Sequence, residues 1–273
     1  MSPIILPEFP KGFHIGPLFI HYYALAYITG LLLGWRLVRR MCAEKPVAAS
    51  GLQVDDFLTW ATLGVILGGR LGYVLFYQPG YFFTHPPAIF AVWDGGMSSH
   101  GGFIGVSIAI IWFCKKQGLN ILRFADRISI AVPIGLGLGR IANFINGELW
   151  GRPAAPGTPF AMIFPSPDAG GIPRYPSELI EAATEGVLLF IFMLLASRSS
   201  KLRASPGKLT GLFLILYACA RIFSECFREP DPFLGFLSFG ATMGQLLSLP
   251  MIVIGLGFIA FGAKLSPNRD DVP

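Results

Sequence analysis

The 273-residue chain is 53% hydrophobic and only 14% charged, with a positive mean hydropathy and a net charge of +5. A soluble domain carries roughly a quarter charged residues, so this composition argues against a soluble enzyme and indicates a membrane protein with several spans. The four cysteines form neither a CxxC pair nor a zinc-ligand spacing, and we interpret them as small packing residues: Cys42, Cys114, Cys219 and Cys226.

Apolar runs recur along the whole chain. A helix needs about 20 apolar residues to cross a bilayer, and several runs reach that length only by including charged residues. Two stretches rich in Pro and Gly separate them: 78–95, interpreted as an interfacial loop, and 153–176, a loop or small head region. The seven candidate spans are 18–35, 57–77, 96–114, 128–139, 186–196, 209–220 and 239–263.

The lysines and arginines predict the orientation, because cytoplasmic loops of membrane proteins are enriched in them. The segments after the first, third, fifth and seventh spans hold nearly all of these residues, including Arg269 near the C-terminus. The opposite side holds only Lys11, Arg152, Arg174 and Arg228. The sequence therefore predicts an all-α polytopic membrane protein of seven transmembrane helices. It forms a single domain over 1–273, with the N-terminus outside, the C-terminus in the cytoplasm and a small periplasmic head at about 147–177.

Three of the predicted spans carry an arginine at a similar depth. Arg70, Arg140 and Arg221 lie 12 or 13 positions into spans that all run outward, which is about 18–20 Å from the inner boundary. His100 lies near the outer start of the third span, at the same predicted level. Because charges inside a membrane are costly and usually functional, we expect a buried anion site that opens toward the outer leaflet.

Polar groups are concentrated in the stretch GLGLGRIANFINGELWGR at 135–152. Arg140 and Asn143 share one helical face, and Asn146 and Glu148 follow closely. An arginine fork suits a phosphate, and asparagine adds donors and an acceptor. The alternative is a structural arginine, neutralised by Glu148 or by a carboxylate of another helix. The glycines follow no strand, so they indicate close helix packing rather than a nucleotide loop.

A second polar face belongs to the sixth span, where Tyr217, Arg221, Glu225 and Arg228 follow one another at steps of four, four and three residues. These residues form either an ordinary Arg–Glu pair within one helix or a second phosphate contact that the glutamate holds in place. Three further glutamates lie on one face of the fifth span. We expect them to be counter-charges for the arginines rather than catalytic groups: Glu178, Glu181 and Glu185.

His100 lies in the segment DGGMSSHGGF. Its imidazole titrates near neutral pH and can accept a proton from a nucleophile. The alternative is a lone histidine that is hydrogen-bonded at the start of a helix. Its predicted depth, level with the three arginines, favours a functional role.

Six sequence blocks resemble the bacterial prolipoprotein diacylglyceryl transferase family, and together they extend over nearly the whole chain. The most specific is FINGELWGR. The blocks are HYYALAY (21–27), GGRLGYVLFY (68–77), VWDGGMSSHGGFIGV (92–106), GLGLGRIANFINGELWGRP (135–153), RYPSELIEAATEG (174–186) and FREPD (227–231). The chain departs from the family pattern in one block, where Tyr175, Glu178 and Ile180 stand in place of His, Gln and Tyr.

The resemblance implies a fold and an activity. Members of this family have seven membrane helices with a periplasmic head and act at the outer leaflet of the bacterial inner membrane. They move the diacylglyceryl group of phosphatidylglycerol onto the lipobox cysteine of a preprolipoprotein, forming a thioether and releasing glycerol 1-phosphate. The implied partners are this lipid, the lipobox signal peptide and the surrounding membrane lipid. No cofactor, metal or nucleic acid is implied.

The resemblance also assigns roles to individual residues. Arg140 matches the arginine that contacts the lipid phosphate, and His100 and Arg221 match residues implicated in catalysis. Tyr217 belongs to the same YxxxR pattern as Arg221. Tyr23, Asn143, Asn146, Glu148 and Gly151 match positions important for substrate binding, to which the charge pattern adds Arg70 and Arg228.

Two other functions remain open from the residues alone. A transporter for an anionic metabolite would use the same arginines, although the chain lacks the inverted repeats common in transporters. A non-catalytic scaffold that grips lipid head groups would use them too, and only turnover separates it from an enzyme.

Overall fold

The computed structural model describes residues 2–230 and 235–265. Asp231 of the FREPD block and Arg269 of the charge pattern lie outside these residues. The described chain is mostly helical, as the sequence predicts. The helices are α1 (Tyr22–Ala43), α2 (Gly51–Phe76), α3 (Pro79–Thr84), α4 (Ser99–Gln117), α5 (Ile121–Asn146), α6 (Ser177–Glu181), α7 (Leu189–Ser197), α8 (Ser200–Ala204), α9 (Lys208–Ser224) and α10 (Met243–Leu265). A π-helical turn, Ala182–Leu188, joins α6 to α7.

Polar caps fix the ends of the long helices. Ser50 and Gln53 form a reciprocal capping box at the start of α2. Asn120 accepts a hydrogen bond from the backbone of Arg123 at the start of α5. Gly147 ends α5 with φ of +66°, a left-handed conformation that favours glycine. The chain therefore leaves α5 at a defined angle, just after its cluster of polar residues.

Four helices among the described residues are long and apolar enough to cross a membrane, judged by length and composition: Gly51–Phe76, Ile121–Asn146, Ser177–Ser197 and Met243–Leu265. The remaining three predicted spans correspond to α1, α4 and α9. Helix α1 carries three arginines in its second half, and α9 has only 17 residues. Seven spans thus stay a prediction, and the helical character of each is confirmed.

Glycines bring the long helices together in antiparallel pairs. Gly68 of α2 faces Gly101 and Gly105 of α4, and Gly211 of α9 faces Gly255 of α10. A Cβ on Gly30 of α1 would stand 3.2 Å from the Cα of Gly135 of α5. These seams are the close helix packing that the sequence predicts.

Two short sheets lie at one end of the bundle. Strands β2 (Gly12–Ile15) and β3 (Leu18–His21) form an antiparallel hairpin, so the first predicted span begins later than expected, at α1. Strand β1 (Ile4–Ile5) pairs in parallel with β4 (Met162–Ile163). The N-terminal segment therefore packs against residues 147–176, at the end where α1 starts and α5 finishes.

Two apolar clusters pack the opposite part of the bundle. Phe57, Phe113 and Phe124 join α2, α4 and α5, with ring centroids 5.0–5.9 Å apart. Ile130, Leu189 and other side chains join α5, α7 and α9 in the second cluster. This part also buries Asp126 and Arg127, whereas the ion pairs between Arg140, Arg221 and the glutamates lie at the other end.

Candidate active site

Two buried glutamates form the centre of the polar end. Glu181 and Glu185 are fully buried. Arg140 of α5 reaches Glu181 Oε2 with its Nε at 2.8 Å and Glu185 Oε2 with its Nη2 at 3.7 Å. The Arg140 side chain stays 19% exposed, and its Nη1 takes part in neither contact. Arg140 is therefore anchored through Nε and Nη2, and Nη1 stays outside these two ion pairs.

The same glutamates receive two more arginines. Arg221 of α9 lies 2.8 Å from Glu181 Oε1 and 3.4 Å from Glu185 Oε1 through Nη1, and its Nη2 forms a close ion pair with Glu225. Arg228 lies 3.3 Å from Glu181 Oε1. For both arginines the structure contains the ion pair that the sequence offers as an alternative. Arg140 is neutralised by another helix, and Arg221 pairs within its own helix as well as across helices.

The π-helical turn explains how both glutamates reach the arginines. A π turn widens the helix by one residue and often marks a functional site. Gly186 lies inside this turn, and a Cβ on Gly137 of α5 would stand 3.1 Å from its Cα. This close approach carries Arg140, one turn farther along α5, onto Glu181.

Glu178 differs from the other two glutamates. Its side chain is fully buried, but neither carboxyl oxygen is hydrogen-bonded to another residue that the structure describes. The charged groups that interact with it are Glu181, Arg228 and Arg140. The predicted counter-charge role is thus confirmed for Glu181 and Glu185, whereas Glu178 makes no ion pair within the described chain.

A second set of polar side chains lies at the end of α5. Asn143 donates from Nδ2 to Glu148 Oε1 at 2.8 Å and to the Tyr23 hydroxyl at 3.3 Å. Asn146 donates to the same Glu148 oxygen at 3.5 Å. Glu148 therefore binds the two asparagines rather than Arg140, and Tyr23 connects the group to α1. These four predicted site residues are in contact with one another.

Two further arginines, predicted only as loop charges, bond to backbone near the site. Arg152 donates to the backbone carbonyls of Arg228 at 2.9 Å and Glu225 at 2.8 Å. Arg174 donates to the carbonyls of Ala169 at 2.8 Å and Gly151 at 3.0 Å. No sequence pattern predicts these bonds, because each joins segments that are distant in the chain or irregular.

Gly151 and Arg70 both lie against backbone carbonyl groups. Gly151 has no room for a Cβ, which would overlap the carbonyl oxygens of Tyr175 and Phe227. Arg70 is 5% exposed and donates to the carbonyls of Ala88 at 2.6 Å, Ile89 at 2.9 Å and Gly96 at 3.2 Å, with a further contact to Gly95. The structure therefore does not bring Arg70 to the glutamates. Arg70 instead binds the carbonyls of the segment before α4.

Tyr217 lies one turn before Arg221 in α9, and His100 lies at the start of α4. His100 is exposed in the first turn of α4. Phe103, one turn farther on, contacts Tyr217 of α9 with ring centroids 6.4 Å apart. Tyr217 also stacks on Phe213 of the same helix. The start of α4 thus flanks the helix that carries Arg221.

The arrangement suits a reaction in which negative charge grows at an oxygen. Arginines held by buried carboxylates are preorganised donors, and Nη1 of Arg140 makes neither of its two ion pairs, so it can donate to a phosphate oxygen. A cavity of about 160 Å³ lies between the N-terminal segment and the end of α5, lined among others by Lys11 and Asn146.

Comparison with known proteins gives one consistent result. Residues 10–261 match the family described as prolipoprotein diacylglyceryl transferase. A phosphatidylglycerol–prolipoprotein diacylglyceryl transferase of Acidiphilium cryptum is 60% identical over 256 residues, 93% of this chain and 92% of its own length. A protein of the same name from Gluconacetobacter diazotrophicus is 58% identical over 98% of this chain and 96% of its own length. Another from Gluconobacter oxydans is 56% identical over 96% of each chain. With matches of this extent, the chain belongs to the prolipoprotein diacylglyceryl transferase family.

Proposed function

We propose that this protein is a phosphatidylglycerol–prolipoprotein diacylglyceryl transferase. It transfers the diacylglyceryl group of phosphatidylglycerol to the lipobox cysteine of a preprolipoprotein, the first step of lipoprotein maturation. The convergence of Arg140, Arg221 and Arg228 on the buried Glu181 carries this proposal. The names of relatives at 56–60% identity support it.

The proposed topology follows the charge pattern. Seven helices cross the bacterial inner membrane, with the N-terminus and the head at 147–177 outside and the C-terminus in the cytoplasm. The antiparallel order of the helices supports this arrangement, because the polar site, the N-terminal segment and residues 147–176 share one end. The whole chain acts as one membrane domain, and its site faces the outer leaflet.

In the proposed reaction, the substrate thiol gives up its proton, and the thiolate attacks the C3 carbon of the diacylglyceryl group. The bond between that carbon and the phosphate oxygen breaks, and glycerol 1-phosphate leaves. His100, or a group that acts through it, accepts the thiol proton, which returns to the phosphate. Arg140 and Arg221 stabilise the charge that grows on the leaving phosphate.

The two arginines differ in what they offer a phosphate. Both terminal nitrogens of Arg221 make ion pairs with glutamates, whereas Nη1 of Arg140 takes part in neither of its two ion pairs. We therefore assign the direct contact with the head group to Arg140. Five polar residues line the binding site around Arg140: Tyr23, Asn143, Asn146, Glu148 and Tyr217. Gly151 and Arg228 support the segments next to it. Arg70 orders the segment that leads to His100.

The test is an assay with purified protein in liposomes of phosphatidylglycerol and a lipobox peptide. We expect the peptide to gain the mass of one diacylglyceryl unit. A peptide with serine in place of cysteine should gain nothing, because the nucleophile is lost. A folded protein that produces no mass gain would contradict the transferase and direct attention to anion uptake.

Arg140→Lys tests the phosphate contact in the same assay. Lysine keeps the charge but lacks the planar fork, so turnover should fall by about 10²–10³, as for other lost transition-state donors. Arg39→Lys is the matched control, since Arg39 is half-exposed and pairs with Asp55 at 3.6 Å in another part of the bundle. Retained turnover in Arg140→Lys would refute the assigned role.

A further inference from the structure

A cavity of about 160 Å³ lies where the N-terminal segment meets the end of α5 and the head region. Three aromatic side chains line it in a row: the ring centroids of Phe9 and Phe144 are 6.4 Å apart, and those of Phe144 and Phe164 are 6.2 Å apart. The rim carries the exposed side chains of Glu8 and Lys11, whose charges are opposite. Because an apolar cavity of about 150 Å³ can hold a benzene molecule, this cavity has room for an uncharged side chain such as that of leucine.

Asn146 connects the cavity to the candidate active site. It lines the cavity and donates to Glu148 Oε1 at 3.5 Å, the oxygen that also accepts from Asn143 at 2.8 Å. Phe144, another lining residue, lies four positions after Arg140 and therefore on the same face of α5. A substrate that extends along this face from Arg140 thus reaches the cavity.

The distance along α5 sets which part of a substrate reaches that far. Asn146 lies six residues after Arg140, which is about 9 Å along the helix axis. In the proposed reaction the thiolate attacks a carbon next to the phosphate that Arg140 contacts, so the lipobox cysteine lies near Arg140. An extended chain advances about 3.3 Å per residue, so the second or third residue after the cysteine lies level with the cavity. The chain of an exported protein continues outward from the cysteine, the direction in which α5 runs in the proposed topology.

We propose that this cavity is a peptide subsite that takes the side chain of the second or third residue after the lipobox cysteine and prefers an uncharged, apolar side chain about as large as leucine. The aromatic row supplies the apolar contact, and the volume excludes larger side chains such as that of tryptophan. The inference rests on the proposed function for the identity of the peptide and adds a specificity determinant outside the lipobox.

A series of lipobox peptides tests the preference with the parent protein in liposomes of phosphatidylglycerol. The second and the third residue after the cysteine are each varied among glycine, leucine, glutamate and tryptophan. At one of the two positions, kcat/KM for leucine should exceed that for glycine by about 10-fold through a lower KM, the effect expected for burying such a side chain. Glutamate and tryptophan should gain nothing over glycine. Equal kcat/KM for all four side chains at both positions would overturn the proposal.

Two substitutions in the cavity should change the preference in different ways. Ser166 lines the cavity, and its side chain makes no capping bond, so Ser166→Phe should fill the space and bring the leucine and glycine peptides within about 2-fold of each other. Phe9→Ala should enlarge the cavity and raise kcat/KM for the tryptophan peptide relative to the leucine peptide. The control is Ala155→Phe, at an exposed position of the same region outside the lining, and it should keep the parent preference. A retained leucine preference in Ser166→Phe, or a change in the KM for phosphatidylglycerol in place of the peptide, would refute the peptide subsite.

Photocrosslinking locates the peptide without relying on turnover. A peptide with a diazirine analogue of leucine at the preferred position should crosslink, on mass-spectrometric mapping, to residues 6–11, 144–147 or 164–167 that line the cavity. The same analogue eight residues after the cysteine should not crosslink there, and excess leucine peptide should compete. Crosslinks only elsewhere in the chain would overturn the subsite. Crosslinks at the cavity with no transferase turnover in the parent would refute the proposed function alone.

Discussion

Asn143 connects three segments at the end of α5. It is 4% exposed, and its amide donates to Glu148 at 2.8 Å and to the Tyr23 hydroxyl at 3.3 Å. Its backbone carbonyl also accepts from the amide of Glu148 at 3.1 Å. Since buried polar groups are costly when unpaired, this one side chain fixes the turn after Gly147.

Asn143→Asp should destabilise the protein, because it places a carboxylate against Glu148 and removes the donor. We expect a loss of about 1.5–3 kcal/mol, the range for a hydrogen bond to a charged group. Adding Glu148→Gln should restore much of it, since the new amide can donate to the new carboxylate. Thermal unfolding in detergent of the parent, both single variants and the double variant measures this coupling. Strictly additive losses would show that the two side chains do not interact in solution.

Sequence reasoning finds the residues of the site more easily than their partners. Arg140, Asn143 and Glu148 stand out because polar groups interrupt an apolar run. Their pairing depends on which helices meet, so Arg140 contacts Glu181 from a later helix and Glu148 contacts Asn143. The predicted depth groups Arg70 with the other arginines, although the structure places it against backbone carbonyls before α4. Depth does not determine which way a helix faces.

The pair of α2 and α4 is held by backbone contact at glycines. A Cβ on Gly68 would overlap the carbonyl of Gly101 and stand 2.8 Å from the Cα of Gly105. A Cβ on Gly105 would in turn stand 2.9 Å from the Cα of Gly68. His100 precedes this seam by one residue, so the seam sets where the imidazole lies.

Gly68→Ala should lower both stability and turnover. The added methyl meets backbone that cannot move aside, and overpacking of this kind costs about 1–3 kcal/mol. Separation of α2 from α4 would also displace His100. The midpoint of thermal unfolding in detergent and the transferase rate measure the two effects.

Gly257→Ala in α10 is the matched control for the seam. Nothing lies within 4 Å of a Cβ at Gly257, and alanine favours a helix over glycine by about 0.8–1.0 kcal/mol. This variant should unfold at the same temperature or slightly higher. Equal behaviour of the two alanine variants would contradict the role of the α2–α4 seam.

For the molecule as a whole, the sequence predicts the helices well and the irregular end poorly. Apolar runs and caps such as Ser50 locate the helices, because these signals are local. The N-terminal hairpin and the pairing of Ile4 with Met162 join residues far apart in sequence, and neither segment is long enough to signal a strand. The π turn likewise has no periodicity of its own and depends on Gly186 packing against Gly137.

The proposed orientation predicts which residues a reagent that cannot cross the membrane reaches. Ile4 and Leu6 donate backbone hydrogen bonds to Ala161 and Ile163, so the N-terminus and residues 147–176 must lie on one side. Ser200 starts α8, at the other end of the helix that begins at Ser177. Cysteine introduced at Ser2 or Asp168 should therefore be labelled in intact spheroplasts, and cysteine at Ser200 only after lysis.

The exposed native thiols are Cys219 and Cys226, so the labelling is carried out in a background with serine at both positions. The three positions test two separate statements. Labelling of Ser200→Cys but not Asp168→Cys in intact spheroplasts would reverse the orientation and place the site at the inner leaflet. Different labelling of Ser2→Cys and Asp168→Cys would contradict the β1–β4 pairing itself. Labelling of both Ser2→Cys and Asp168→Cys in intact spheroplasts, with Ser200→Cys unlabelled, would place Arg140 on the outer side. That is the side on which the lipobox cysteine of an exported protein emerges.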